Sequence, residues 1–340
     1  MLVLIDINHP AQLNFFKNLI KKIHSSHKDK VIVTYLDRGK LPEIVNKELP
    51  GIEKYKTGRH RGTVASIVFE ANLLKLFDAI KLFFFRRPDI CLTGSFITGF
   101  ASKFYFIPNI QLDDDPERKH YIKAQLLSAN EIYFPPIVTS HNKIKTYNAL
   151  KEWAYLSPKY FTPKENALEQ YNLRKKEYIF IREVSTGSIN YLNQEKNLIA
   201  SFSYQLPKKY KVILSLEDKR DIGQYPNNWI LLKEPIEDIH SLIYYSKLMI
   251  SSGDSMAREG GNLGVPSIYC GFREMKANQL LIDKGILFKI EPSKVVAFIN
   301  DIESEKVKVP DQLAFREKLD AEWVDVPDFF MERINQYRKN

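Results

Sequence analysis

Residues 247–270 read KLMISSGDSMAREGGNLGVPSIYC. The apolar run at its start and the run PSIYC at its end have strand length and strand composition, and the stretch between them has helix length. Strand, small-residue turn, helix, strand is the repeating unit of a parallel α/β sheet. The turn is also where such a sheet meets ligands. Ser251, Ser252, Gly253 and Ser255 let backbone N–H groups approach a ligand closely, and a helix starting near Asp254 or Ser255 points its positive end at an anion there. Glu259 lies four residues after Ser255, on the same helix face, where a carboxylate can accept hydrogen bonds from ribose hydroxyls. A plainer reading stands beside this one: Ser252, Asp254 or Ser255 caps the helix, Glu259 is solvated, and Gly260-Gly261 permits tight packing on the sheet.

Working outward, the same rhythm fills both halves of the 340 residues. LVLID (2–6), VIVTY (31–35), DICL (89–92), IPNI (107–110) and EIYF (131–134) alternate with helical stripes at Ala11–His24 and Val64–Phe85. A pause follows, with SPKYFTPKE (157–165) reading as a linker. YIFI (178–181), YKVILS (210–215), NWILL (228–232), KLMIS and PSIYC then alternate with helical patterns such as Glu195–Gln205 and Ile239–Ser246. The expected fold class is α/β, with two Rossmann-like, doubly wound domains that resemble the GT-B arrangement and face a central cleft. The expected boundaries are an acceptor domain at 1–155, a linker at 156–176, a nucleotide-sugar domain at 177–320, and a last helix at 321–340 packing back on the first domain through Trp323 and Phe329-Phe330.

Composition removes several function classes. With 44% hydrophobic residues the chain can bury a real core, and its two cysteines, Cys91 and Cys270, imply neither a disulfide framework nor a Cys-rich metal site. Fifty Lys+Arg against 41 Asp+Glu give +9, suited to phosphates or an anionic lipid surface. No aromatic-interleaved basic stripe or nucleic-acid motif accompanies that charge, so nucleic acid is not the expected partner. The opening MLVLIDINHP reads as core strand and loop rather than a leader, and Gly94, Gly99, Lys103 and Pro108 break the most apolar window. A cytoplasmic protein is expected, with peripheral contact at the inner face of the membrane left open. HExxH, CxxC, EF-hand, Walker and nucleophile-elbow patterns are absent from the sequence, and no metal or cofactor is expected beyond a nucleotide-sugar substrate.

With its flanking strand and LGVP tail, the segment Ser251–Pro266 resembles the nucleotide-binding loop of bacterial UDP-N-acetylglucosamine 2-epimerases, TDSGGxQEEAxxLGxP, without a gap. The resemblance implies ribose binding by Glu259 and phosphate binding around Gly253 and Ser255. More of the chain is similar to a GT-B-like family, domain-of-unknown-function family 354. That resemblance rests on IDINHPAQLNFFKNL at the start, GRHRG (58–62), RRPDICLTGS (86–95), DDPE (114–117), KYFTPKE (159–165) and IHSLIYYSKLMIS (239–251). The chain departs from the pattern where Gln12 and Asn14 replace two histidines of the usual GHPAHVHFF opening, and where Asp254 takes a position usually neutral. A carboxylate beside a diphosphate needs a partner, for which Arg258 and Arg182 are the candidates.

The candidate catalytic residues are His9, at a strand end and with a pKa suited to a general base, and Asp115 and Glu117 in the loop after IPNI. The plain alternatives are a histidine holding the His-Pro turn and a solvated acidic turn. Arg182 ends the strand YIFI, where it can reach a diphosphate or form a salt bridge. His240 opens the helix before the nucleotide loop, as a base contact or a first-turn residue. Arg59, His60 and Arg61 suit an anionic acceptor, though a solvated loop is the default. LFFFRR (82–87) suits a membrane bearing a lipid-linked acceptor or, more plainly, the buried face of a helix. The leading expectation is a metal-independent glycosyltransferase moving a sugar from a UDP-sugar to a surface-polysaccharide or glycolipid precursor. One alternative is a UDP-N-acetylglucosamine 2-epimerase-like enzyme, although its opening GTRPE motif is missing; the other is a non-catalytic protein that binds nucleotide sugars or protein partners.

Overall fold

The computed structural model describes residues 1–61, 66–185, 194–232 and 238–338. Its chain divides into two compact units, Met1–Tyr155 with Trp323–Asn340, and Leu156–Glu322. Each is built on one parallel sheet, and the strands read as continuous apolar runs because helices cover both faces.

In unit 1, β1 (Leu2–Ile7), α1 (Pro10–Ser25), β2 (Lys30–Arg38), α2 (Leu41–Glu48) and β3 (Glu53–His60) form the first half. A π-helical stretch, Ser66–Leu74, runs into α3 (Lys75–Arg86), followed by β4 (Ile90–Thr93), α4 (Phe96–Phe104), β5 (Asn109–Leu112), α5 (Lys119–Ser128), β6 (Glu131–Phe134) and β7 (Ile144–Thr146). The strand order is β3-β2-β1-β4-β5-β6-β7, with Val3 in register with both Val31 and Ile90. Leu4, Cys91, Ala79, Phe83 and Ala101 pack one face of the sheet against α3 and α4.

A short helix, α6 (Trp153–Leu156), leads into unit 2, which contains α7 (Asn166–Glu169), β8 (Tyr178–Glu183), α8 (Ala200–Ser203), β9 (Lys211–Leu216), β10 (Ile230–Leu231), α9 (Ile239–Tyr244), β11 (Leu248–Ser251), α10 (Asp254–Asn262) and β12 (Ser267–Tyr269). It finishes with α11 (Lys276–Ile282), β13 (Leu287–Lys289), α12 (Val295–Glu303) and α13 (Gln312–Glu322). Its strand order, β10-β9-β8-β11-β12-β13, repeats that of the first six strands of unit 1.

The last helix, α14 (Val326–Gln336), belongs to unit 1. Phe330 is fully buried and its ring lies 5.7 Å from Phe15 of α1 and 5.4 Å from Tyr147, while Trp323 meets Trp153 edge-on at 5.3 Å.

Several expected elements differ. Residues 157–165 do not form a bare linker: Lys164 N donates to Ser241 Oγ at 2.9 Å and Tyr245 Oη to the Pro163 carbonyl at 3.3 Å, so the segment is part of unit 2. Its prolines prevent regular structure without preventing packing. Gly58, Arg59 and His60 end the edge strand β3 rather than forming a loop, and Gly62 lies outside the described residues. The stripe Val64–Phe85 begins outside the described residues and is π-helical before it becomes α-helical. Of Glu195–Gln205 only Ala200–Ser203 is α-helical; Asn197 takes φ 55°, the left-handed conformation that interrupts a helix.

Candidate functional site

In both sheets the chain reverses direction of winding between the first and fourth strands, β1/β4 and β8/β11, and the carboxyl ends of those strands are where an open α/β sheet offers a crevice. In unit 2, Ser251 at the end of β11 is in register with Arg182 of β8 and Tyr269 of β12. The turn after it is held by its own side chains. Ser251 Oγ donates to the Gly253 carbonyl at 2.7 Å and accepts from Gly253 N at 3.0 Å, and Ser252 Oγ accepts from Val184 N at 2.9 Å. Both serines are fully buried, so their hydroxyls shape the turn.

α10 then starts with Gly253 as a cap that has no side chain to offer. Gly253 thus gives the first helical turn no side-chain cap, and the N-terminal end of a helix favours an anion. The expectation that Ser252, Asp254 or Ser255 caps this helix is thereby corrected. Asp254 is instead the first helical residue, and its carboxylate turns to Arg258, whose Nη1 lies at 3.0 Å and also donates to Asn278 Oδ1 at 2.9 Å. Arg258 is fully buried, Asp254 nearly so, and Arg273 approaches the same carboxylate at 3.9 Å. The charge that would repel a diphosphate is thus neutralised inside the helix packing.

One turn further on, Glu259 is 8% exposed rather than solvated, and its Oε2 lies 3.2 Å from His240 Nε2. His240 is the second residue of α9, with Phe161 packed edge-on against its ring at 6.1 Å. Gly260 is needed for the approach of α10 to the sheet, since a Cβ there would come within 2.3 Å of Ser267 Oγ and 2.6 Å of Met249 Sδ. Ser255 is half-buried and receives Arg258 Nη2 at 3.4 Å. Arg182 leans along the sheet, donating to Ser215 Oγ at 2.9 Å with Glu217 at 3.5 Å. Its Nε is buried with no acceptor among the described residues. So the structure gathers His240 and Glu259 into one pair and Ser251, Ser252 and Gly253 into one turn, with Arg182 tied to β9.

In unit 1, the corresponding strand ends converge on Asp6, which is wholly buried. Lys75 Nζ lies 3.0 and 2.8 Å from its two oxygens, and the hydroxyls of Thr34, Thr93 and Thr98 donate at 2.9, 2.8 and 2.8 Å. Burial pushes the Asp6 pKa up, but the Lys75 charge and these donors outweigh it, and the pKa lies below the ordinary carboxylate value. Thr93 Oγ1 also accepts from Ser95 N at 2.8 Å, so this ion pair fixes the turn after β4. Gly94 sits in that turn where a Cβ would come within 2.3 Å of Gln12 Nε2.

His9 is the N-cap of α1, and its Nδ1 accepts from Ala11 N at 3.2 Å. A ring that accepts at Nδ1 is neutral and carries its proton on Nε2. The pKa agrees in direction: loss of solvation first, then repulsion from Arg38 and Lys151, lowers it to about 4, although the residue as a whole is exposed. In this orientation His9 donates through Nε2 and does not abstract a proton there.

Of the acidic candidates after β5, Glu117 is exposed, while Asp115 is 5% exposed and pairs with Arg118 Nε at 3.0 Å. Asp113, the first acid of the run Asp113–Asp115, is not among the acids expected from the sequence to be catalytic. It receives Arg118 Nη2 at 2.8 and 3.0 Å and the N–H groups of Asp114 and Asp115. Burial nevertheless outweighs the Arg118 charge and, with Asp114 adding repulsion, raises its pKa to about 6. Asp113 lines a cavity of about 120 Å³ together with Gln12, Phe15, Tyr121 and Lys151, the last paired with Asp114 at 2.6 Å. The available signal was position, since Asp113 is the first acid beyond the apolar strand.

The chain is similar along its whole length to known proteins. An uncharacterized protein of Methanocaldococcus jannaschii is 25% identical over 99% of this chain and 98% of its own length. The solved structure of UDP-GlcNAc 2-epimerase from Neisseria meningitidis bound to UDP-GlcNAc superposes with a TM-score of 0.71 at 13% identity, covering 99% of this chain and 100% of that one. The glycosyltransferase VinC in complex with dTDP superposes at 0.68 with 11% identity, covering 99% of each chain. At these identities the structural likeness establishes the fold, which is α/β of the GT-B type. A family model matches residues 1–338, and the chain belongs to the family described as "Protein of unknown function (DUF354)".

Proposed function

We propose that this protein is an enzyme acting on a nucleotide sugar, and that it transfers the sugar to an acceptor hydroxyl. The observation that carries the reading is the arrangement at the end of β11: a turn held by Ser251, an α10 N-terminus capped by a glycine with its one first-turn acid neutralised by Arg258, and Glu259 paired with His240 one turn in. The first turn of α10 would take a diphosphate through its N–H groups, and Glu259, oriented by His240, would accept from the ribose hydroxyls. The solved relatives of this fold that carry UDP-GlcNAc and dTDP support a nucleoside diphosphate as the ligand class. The favoured base is uracil, after the loop's resemblance to the epimerases.

For the chemistry, unit 1 offers Asp113, whose raised pKa of about 6 suits a general base toward an acceptor hydroxyl, and His9, whose Nε2–H suits an acceptor oxygen. Asp115, tied to Arg118, serves as a positioning group, and Glu117 is too exposed to be favoured. The acceptor class in this reading is a polysaccharide or glycolipid precursor. A second reading, 2-epimerisation, is favoured by the gapless likeness of Ser251–Pro266 to the epimerase loop. Labelled UDP-N-acetylglucosamine, supplied first alone and then with a polyprenyl-linked saccharide, separates the two. Transfer to the lipid supports the transferase, whereas conversion of the sugar without acceptor would replace it with the epimerase.

A further inference from the structure

On the surface of unit 1, the stretch Ser66–Leu74 and α3 present a stripe of large apolar residues to solvent. Phe69, Phe77, Phe84 and Phe85 are 62%, 66%, 57% and 69% exposed, and their spacing keeps them on one side of the helix. The opposite side of α3 already supplies the core through Ala79, Leu82 and Phe83. The stripe is therefore additional to the core. A further exposed aromatic stands at the end of α4, where Phe104 is 67% exposed and lies 5.1 Å from the ring of Tyr105, which packs at 6.5 Å on the buried ring of Phe83.

Phe106, in the turn after α4, is the most telling residue. It is 94% exposed and holds φ 57°, a left-handed conformation that is costly for an aromatic side chain. The conformation itself closes α4, with Phe106 N donating to the Lys103 carbonyl at 3.1 Å and Ile107 N to the Ser102 carbonyl at 2.9 Å, and it leaves the ring in water.

Three cations in and around the patch have no carboxylate partner among the described residues: Lys81 lies within the stripe, Arg87 directly after it, and Lys103 donates only to the neutral carbonyl of Leu127 at 2.8 Å. Of the bordering acids, Glu53 pairs with Arg86 and Glu70 with Arg61 at 3.6 Å, while Asp78 and Asp89 keep their charge and accept from Gly58 N at 2.8 Å and Leu2 N at 2.6 Å. A two-fold contact between copies would bring Lys81, Arg87 and Lys103 near the same cations, with Asp78 and Asp89 the bordering acids left to offset them. An anionic bilayer answers both features at once. Aromatic rings lie at the boundary between headgroups and acyl chains, and lysine and arginine meet lipid phosphates.

We propose that this face docks unit 1 on an anionic lipid surface. The proposal does not rest on the reading of the β11–α10 loop, and its test reads binding rather than activity. In flotation with vesicles of phosphatidylcholine and phosphatidylglycerol, the full chain is expected to rise with the lipid, to do so much less with phosphatidylcholine alone, and to be released by added salt. Phe77→Ser/Phe84→Ser/Phe85→Ser, all exposed positions whose replacement leaves the circular dichroism spectrum unchanged, is expected to lower partitioning about tenfold or more. Lys81→Glu/Arg87→Glu is expected to lower it selectively on the anionic vesicles. Absence of flotation by the unmodified chain, or equal flotation of the triple serine variant, would overturn the proposal. So would sedimentation showing a dimer that the serine variant converts to monomer, which would make the face an interface between copies.

Discussion

Glu259 is a residue whose removal separates binding from folding. It is nearly buried, and its carboxylate lies 3.2 Å from His240 Nε2. Glu259→Ala is expected to weaken UDP binding tenfold or more, about 1.5–3 kcal/mol for a charged acceptor, with thermal stability little altered. Unchanged affinity would remove the ribose role. Asp113 tests the other unit through pH. Its folded pKa of about 6 lies above the ordinary 3.8, so the folded state holds the proton more tightly, and stability falls as pH rises through that window. The difference at pH 7 amounts to about 3 kcal/mol at most. Relative to Asp113→Asn, the native protein should therefore lose stability between pH 4 and 7 in denaturant titrations; a constant difference would show an ordinary carboxylate. His9 has the opposite sign: lowered to about 4 from 6.5, it contributes stability above pH 6.5 that is lost as pH falls toward 4. A histidine resonance titrating below pH 5 in nuclear magnetic resonance is its expected signature, and titration near 6.5 would contradict the capped, neutral ring.

At the scale of elements, α10 shows what a sequence reveals and what it conceals. Its position, its strand partners and the small-residue turn were legible, because apolar strands and glycine-serine turns have local causes. That Asp254 would bury itself against Arg258 was legible only as one of two pairings, since an i,i+4 acid and base are equally able to face water. Removing one partner of that buried pair tests the packing: Arg258→Met is expected to cost about 3–5 kcal/mol by leaving Asp254 uncompensated, and adding Asp254→Asn should recover part of it. A loss below 1 kcal/mol in chemical denaturation would mean that the pair is solvated. The strands that sequence reading missed, β3, β7 and β13, all lie at sheet edges. β3 reads EKYKTGRH, with lysines and arginine where an inner strand has valine and isoleucine, because an edge is protected by charge rather than by burial. Asp113, too, stood outside the candidate site, because its raised pKa comes from burial in the assembled unit and not from its neighbours in the chain.

Across the whole molecule, two sheets share one winding order, each with a candidate site at its strand ends, and residues 323–338 return to complete unit 1. Phe330→Ala, emptying a fully buried position between Phe15, Tyr133 and Tyr147, is expected to cost about 3–5 kcal/mol in the unfolding of unit 1 while that of unit 2 is unchanged. Two separable calorimetric transitions, only one of them shifted, would be the evidence; a common shift of both would show that the units unfold together. The central claim, that α10 and Glu259 bind a nucleoside diphosphate, is tested most directly by the melting temperature of the native chain and of Glu259→Ala with and without saturating UDP. A ligand that binds only the folded state at a hundred times its dissociation constant adds about 2.7 kcal/mol, so the native chain should melt several degrees higher with UDP and the variant much less. No UDP-dependent shift in the native chain, or an equal shift in both proteins, would contradict the account.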